Sequence, residues 1–366
     1  METNIDFPEE VLSSQLKDYF SNKFMINKNK FDPYPDTEFW RKYIENDNST
    51  NNIPFKKLRE CYPQLNFPIE EDIEKNPSYR DATLKGMFIQ SDFALKLNNE
   101  SEINVKIFKN IAYDIPVITV PDGSDFETLI QSLIYKNNPV NIPKSMGATL
   151  ISGINNWKKL NDLKQKWTEK NSSASWNEEF SNNILPNTYL YKDKIILLST
   201  KPYSNVDAEK LNLNNDEWQK ISLNIRLEHE CVHLYTLKKY GSATNNLHDE
   251  LVADYIGIIT SAGNYQKKWM LTFMGLENFP EYRKGARLEN YLSGMNLSEN
   301  EFIRLTEIIK NAIENIAEFD AQVGILRSER DKKLRIEVLC ETDLLQISSS
   351  TGTHLLLEKY GEKSAH

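Results

Sequence analysis

His229-Glu230-Cys231-Val232-His233, followed seventeen residues later by Glu250-Leu251-Val252-Ala253-Asp254, is the stretch on which the reading of this chain turns. On a helix, His229 and His233 stand one turn apart on the same face, so both imidazoles can converge on one metal ion. Glu230 projects beside that ion, where a carboxylate can take a proton from a water that the metal has made acidic. The match is short, and helical context is its test. From Trp218 to Tyr240 the apolar residues Ile221, Leu223, Ile225, Leu227, Val232, Leu234, Tyr235 and Leu237 run without Pro or Gly. Their length and density suit a mostly buried helix rather than a strand. Asn214, with Glu217 three residues on, predicts the helix start, and Gly241 predicts its stop. Two histidines and a glutamate on one face of a buried helix are costly unless something binds them.

A second helix is expected after it. Asn245 or Asn246 can cap it, Leu247, Leu251, Val252, Tyr255, Ile256 and Ile259 give it an apolar face, and Gly263 ends it. Glu250 and Asp254, four apart, share a face with Gly257, which is small enough to allow close helix approach. Glu250 would complete a set of two histidines and one carboxylate, and Asp254 would accept the outer ring N–H of one histidine. Two acidic residues alone would simply mark a solvated face; their place in an apolar run after H-E-x-x-H gives them a different meaning.

In these residues the chain resembles the gluzincin class of zinc metallopeptidases, which pairs H-E-x-x-H on one helix with E-x-x-x-D on the next. The resemblance covers about residues 188–263 and implies that His229, His233 and Glu250 ligate Zn2+, that Glu230 is the general base, and that Asp254 orients a histidine. It implies hydrolysis of a peptide bond, with a peptide or protein as substrate. Such enzymes also need a donor for the oxyanion of the tetrahedral intermediate. Tyr291, Arg287 and Tyr255 are the candidates, in that order. The Gly and third His of the metzincin pattern are absent. His248 is a rival ligand two residues before Glu250. The E-x-x-H half-motif of di-iron bundles is also present at Glu230 and His233, but no second copy accompanies it.

Composition bounds the rest. Net charge is −9 with a pI near 5.3, which argues against general nucleic-acid or anionic-membrane binding. No basic segment followed by an apolar core opens the chain, so no secretory signal is expected, and no apolar run is long enough for a bilayer. Cys61, Cys231 and Cys340 are few and widely spaced. They fit a reducing cytoplasm better than a disulfide framework. Cys231 points away from the ligand face and reads as packing.

The expected architecture is α+β and helix-rich, with a mixed or antiparallel sheet preceding the two metal-binding helices of a zincin-like core. Residues 1–100 read as a mostly helical region with aromatic anchors such as Phe39-Trp40 and Tyr43. Residues 101–213 read as a strand-containing subdomain, 214–346 as the metal-binding helical subdomain, and 347–366 as a tail. Within the second, 103–107 and 115–120 are strand-like, and Asp125 to Tyr135 is a helix with Leu129, Ile130, Leu133 and Ile134 inward. Gly153-Ile154-Asn155-Asn156-Trp157 predicts a tight strand-to-helix turn with a Trp in the core. Thr188–Tyr191 and Ile195–Ser199 read as a β-hairpin about Lys192-Asp193-Lys194. An edge strand of this sheet would offer main-chain pairing to an extended substrate. Toward the C-terminus, Ser298 with Glu301 predicts a capping box, while Arg327 to Lys333 reads as a solvated charged segment and His354 and His366 as unpartnered. Two alternatives stand beside the peptidase reading. One is a zinc hydrolase of a non-peptide small substrate; the other is a non-catalytic protein whose metal site a fourth ligand, such as His248, has closed.

Overall fold

The computed structural model describes residues 12–24, 37–45, 55–87, 95–144, 146–241 and 246–365. The chain divides into two compact units, one made of Met1–Asp32 with Pro202–His366 and the other of Pro33–Lys201. These boundaries replace the expected ones at 100, 213 and 346. The first helix belongs with the C-terminal residues, and the tail is itself a packed helix. The architecture is α+β, dominated by helices.

The Pro33–Lys201 unit holds a four-stranded mixed sheet ordered β1-β2-β4-β3, from β1 (Asn104–Phe108), β2 (Ile115–Val120), β3 (Ala148–Asn155) and β4 (Lys192–Ser199). β2 runs antiparallel to β1 and parallel to β4, and β3 runs antiparallel to β4. The central position of β2 and β4 follows from their composition. Ile115, Val117, Ile118 and Val120, and Ile195 to Leu198, are buried on both faces, as a near-continuous apolar run requires. β1 and β3 are therefore the edges. The helix expected at 125–135 is Gly123–Leu133, started by the Asp122 side chain; Leu129, Ile130 and Leu133 are buried, but Ile134, just past its end, is exposed.

The expected hairpin is not formed. Thr188–Leu190 is a short 3-10 turn, Lys192-Asp193-Lys194 begins β4 itself, and the antiparallel partner of β4 is β3. The polar triplet imitates a turn, but Asp193 is buried and its Oδ2 accepts hydrogen bonds from Trp40 Nε1 (3.1 Å), Tyr62 Oη (2.7 Å) and Asn156 Nδ2 (2.7 Å). A carboxylate satisfied in this way can occupy a strand interior. The strand-to-helix turn at 153–157 does form, but Trp157 is half-buried rather than in the core. Gly153 has φ +82° at a bulge between Ser152 and Ile154, and Asn156 caps helix Trp157–Lys170.

The other unit holds the two helices of the opening motif. The motif helix, Asn215–Tyr240, starts where Asn214 Oδ1 accepts from Glu217 N at 2.8 Å and stops at Gly241 in the left-handed region, φ +70°. The carboxylate helix, Leu247–Ala262, is capped by Asn246 and stopped by Gly263. Gly257 is the contact point between them: a Cβ there would lie 2.8 Å from the carbonyl oxygen of Ile225. Helix Glu299–Val323 begins with the full Ser298–Glu301 capping box.

The charged segment at 327–333 is solvated only in part: residues 327–330 are exposed, but Asp331 and Lys332 are buried. It opens helix Glu329–Cys340, in which Asp331, Lys332 and Arg335 are buried. Arg335 donates to Asp320 at 3.0 Å and to Asp331 at 3.1 Å, and to the Tyr255 hydroxyl at 3.1 Å. Helix Gly352–Ser364 follows, with Leu356 buried and Tyr360 donating to Asp331 at 2.7 Å. His354 is exposed, and His366 lies outside the described residues. All three cysteines are free and buried, Cys231 among them. Among the described residues no helix is long and apolar enough to cross a membrane.

Candidate metal centre

The motif helix is buried along its middle: Ile225, Val232 and Leu234 are inaccessible to solvent, and His229, Glu230 and His233 lie in the same buried stretch. The 3.6-residue period carries His229 and His233 to one face, and close packing at Gly257 brings Glu250 opposite them. The three donors converge. His229 Nε2 and His233 Nε2 are 3.0 Å apart, Glu250 Oε2 is 3.5 Å from the first, and Glu250 Oε1 is 3.6 Å from the second.

The outer nitrogens decide what the inner ones can do. His229 Nδ1 lies 2.8 Å from Asp254 Oδ1 and also 3.1 Å from the Tyr203 hydroxyl. His233 Nδ1 lies 3.2 Å from Asp249 Oδ2, close but poorly aligned for a hydrogen bond. A carboxylate only accepts, so both rings are drawn to the tautomer protonated at Nδ1, and both Nε2 lone pairs then face one another. Two lone pairs at 3.0 Å need a cation or a proton between them. Tetrahedral bonds of roughly 2.0–2.1 Å place ligand atoms roughly 3.3 Å apart, close to the separations found here. His229, His233 and Glu250 thus form a buried group able to hold a metal ion.

The same set of charges shifts the titrations. Burial works against a charge on His233, but Asp249, then Glu250 and Glu230, outweigh it and carry its pKa up to about 10. Burial would raise Asp254, yet Arg287 foremost, with His229 and Tyr203, brings it down to about 2. Glu230 is raised above the ordinary glutamate value, chiefly by burial, with His233 and His229 pulling the other way. A carboxylate raised in this manner is better matched to moving protons near neutral pH.

Of the three oxyanion candidates, the structure brings two to the site. Tyr291 and Arg287 lie on a 3-10 turn, Arg287–Tyr291. Tyr291 Oη donates to Glu250 Oε2 at 2.8 Å, and Arg287 Nη2 reaches the same oxygen at 3.3 Å and Asp254 Oδ2 at 2.5 Å. Glu250 Oε1 accepts neither of these bonds and is the oxygen nearer His233. Tyr255 is elsewhere: its hydroxyl donates to Asp320 Oδ1 at 2.8 Å. His248 is not a ligand either, since its Nε2 donates to the Leu339 carbonyl at 2.8 Å. No fourth protein ligand and no second cluster of this kind occurs among the described residues, which leaves the di-iron reading without its other half-site.

Two neighbours of the His229–His233–Glu250 group escape a reading by motif. Asp249 directly precedes Glu250 and, on a helix, lies 100° around from it, so its place beside a ligand was available as a signal. Tyr203 bridges His229, Asp254 and Arg287, the last donating to its oxygen at 2.9 Å, from a turn before the motif helix that carries no recognisable pattern.

No curated protein matches this chain, and no solved structure does. A family model matches residues 5–351, nearly the whole length, and the chain belongs to that family of unknown function, DUF7005.

Proposed function

We propose that this protein is a zinc-dependent hydrolase that cleaves a peptide bond with Glu230 as general base. The observation that carries the reading is the convergence of His229 Nε2, His233 Nε2 and Glu250 on one point, with no fourth side chain closing it among the described residues. Catalytic zinc sites keep an open position of this kind, while structural ones are filled. Two imidazoles and a carboxylate suit zinc better than calcium or magnesium, which prefer oxygen donors throughout. Bound zinc supplies Lewis acidity, making a water a usable nucleophile at neutral pH and polarising the substrate carbonyl.

The chain's own residues supply the remainder. Glu230, buried and raised in pKa, accepts the proton lost by the attacking water and returns it to the leaving amine. Asp254 holds the His229 ring by its Nδ1, and the Asp249 carboxylate stands beside His233 Nδ1 at 3.2 Å, so that the Nε2 atoms stay aimed inward. Arg287 and Tyr291 engage Glu250 Oε2, the oxygen beside His229, which leaves Oε1 to face His233. Tyr291 is also placed to give its hydroxyl hydrogen to a developing oxyanion once it leaves Glu250.

Elemental analysis of the wild type and of His233→Ala tests the site: about one zinc per chain is expected, and it is lost in the variant. Glu230→Gln then tests the chemistry, since it is expected to keep the zinc and lose turnover of a peptide library. Wild-type protein that takes up no zinc, or a Glu230→Gln variant with full turnover, overturns the reading.

A further inference from the structure

A separate concavity lies wholly within the Pro33–Lys201 unit, between helices Thr37–Glu45, Phe55–Cys61 and Trp157–Lys170. Its volume is about 490 Å³. Small-molecule sites run from roughly 300 to 1,000 Å³. The chain carries a net charge of −9, yet this cavity is lined by Lys42, Lys57, Lys158, Lys159 and Lys166 against two acids, Glu38 and Asp162. Each acid is engaged by a lysine of its own helix, Glu38 by Lys42 at 3.1 Å and Asp162 by Lys158. Two further acids lie behind the lining. Asp193 is 3.8 Å from Lys159 Nζ, and Glu60 accepts from the Tyr43 hydroxyl at 3.0 Å. Lys166 forms no ion pair among the described residues.

A solvated basic face needs neither a hollow nor a buried cation, and this one has both. Lys159 is only 4% exposed, and its Nζ is fixed by a 2.7 Å bond to the Tyr189 carbonyl. Lys42 and Lys166, by contrast, are exposed on different helices that line the same cavity. Lys42 already has Glu38 beside it, and an anion in the cavity would give Lys166 the counter-charge it lacks among the described residues. Another part of the wall is apolar. Phe39 and Tyr43 stack with centroids 5.2 Å apart and planes at 21°, and Leu163 and Leu190 continue the surface.

We infer that this cavity binds a small organic phosphate with a flat apolar body, of the nucleotide class. Lysine ammonium groups bind phosphate as point charges, and aromatic side chains accept a base by stacking. Inorganic phosphate would use the lysines and leave the apolar wall idle; a nucleoside would do the reverse.

Isothermal titration of the full chain with ATP, adenosine and tripolyphosphate tests this. ATP is expected to bind one per chain, with adenosine and tripolyphosphate each at least tenfold weaker. Lys42→Glu combined with Lys166→Glu is expected to weaken ATP at least tenfold, and Lys166→Ala alone by a smaller factor that serves if the double variant does not fold. His233→Ala is expected to bind ATP as the wild type does, which separates this cavity from the metal centre. Absence of ATP binding overturns the proposal. So does tripolyphosphate binding as tightly as ATP, or affinity that the lysine variants leave unchanged.

Discussion

Asp254 and His229 are joined by a 2.8 Å contact from Oδ1 to Nδ1, and the other oxygen of Asp254 receives Arg287 at 2.5 Å. One carboxylate therefore fixes the tautomer of a ligand and anchors the guanidinium that also reaches Glu250. Replacing Asp254 with Asn leaves a carbonyl able to accept from Nδ1 but removes the charge. Zinc affinity is expected to fall about 10- to 100-fold, the usual range when a ligand's outer partner is lost. Competition with a chromophoric chelator measures it, and an affinity unchanged from wild type would contradict this role of Asp254.

Without metal, His233 is expected to hold a proton instead. His233 is raised from 6.5 to about 10, so its protonation stabilises the metal-free fold fully below about pH 6.5, and that contribution is lost as pH rises toward 10. Chelator-treated protein is accordingly expected to lose thermal stability between those limits, while the zinc-loaded protein does not. Zinc uptake expels the proton, so affinity rises with pH over the same interval. Calorimetry in buffers of different ionisation enthalpy counts the proton released, and a count near zero at pH 7 would contradict the arrangement.

Gly257→Ala sets two effects against each other. Alanine improves helix propensity by about 1 kcal/mol over glycine. Its Cβ, however, would sit 2.8 Å from the Ile225 carbonyl oxygen, a backbone atom that moves only if the two helices separate. Overpacking of this kind costs about 1–3 kcal/mol, so net destabilisation is expected in urea titration. Zinc affinity is expected to fall with it, because the same contact sets the distance between Glu250 and the histidines.

Arg335→Leu tests the buried network on the C-terminal helices. Arg335 is fully buried between Asp320 and Asp331, and its loss leaves both carboxylates without their cation. The expected cost is about 3–5 kcal/mol. Zinc stoichiometry in the surviving folded fraction is expected to stay at the wild-type value, since none of these residues touches the metal group.

The two helices that carry the candidate metal group were legible because every signal agreed there. Caps at Asn214 and Asn246, stops at Gly241 and Gly263, and the spacing of His229, His233, Glu250 and Asp254 all describe the same pair of elements. The hairpin reading failed because Lys192-Asp193-Lys194 has turn composition, and only the tertiary donors Trp40, Tyr62 and Asn156 make Asp193 acceptable inside a strand. The burial of Asp331 and Lys332 within the segment from Arg327 to Lys333 was missed for the same reason, since buried charges are recognisable only once their partners are in place. Tyr203 illustrates a further limit. It reaches His229 and Asp254 from a turn of no special composition, and local pattern holds no trace of such a contact.

The hydrogen bond from the Tyr19 hydroxyl to the Tyr291 carbonyl spans 272 residues of chain, and Asn22 reaches the Cys340 carbonyl from the same N-terminal segment. During synthesis that segment leaves the ribosome before the turn it secures. The intervening Pro33–Lys201 unit can fold as it emerges, in the domain-by-domain order of a growing chain. The unit with the candidate metal group must wait, and a nascent chain halted before residue 287 lacks Arg287 and Tyr291, the two groups that hold Glu250. The candidate metal group and the side chains that hold Glu250 are thus complete only after residue 291 has been made, and a fragment that starts at Pro202 would lack the N-terminal part of its own unit.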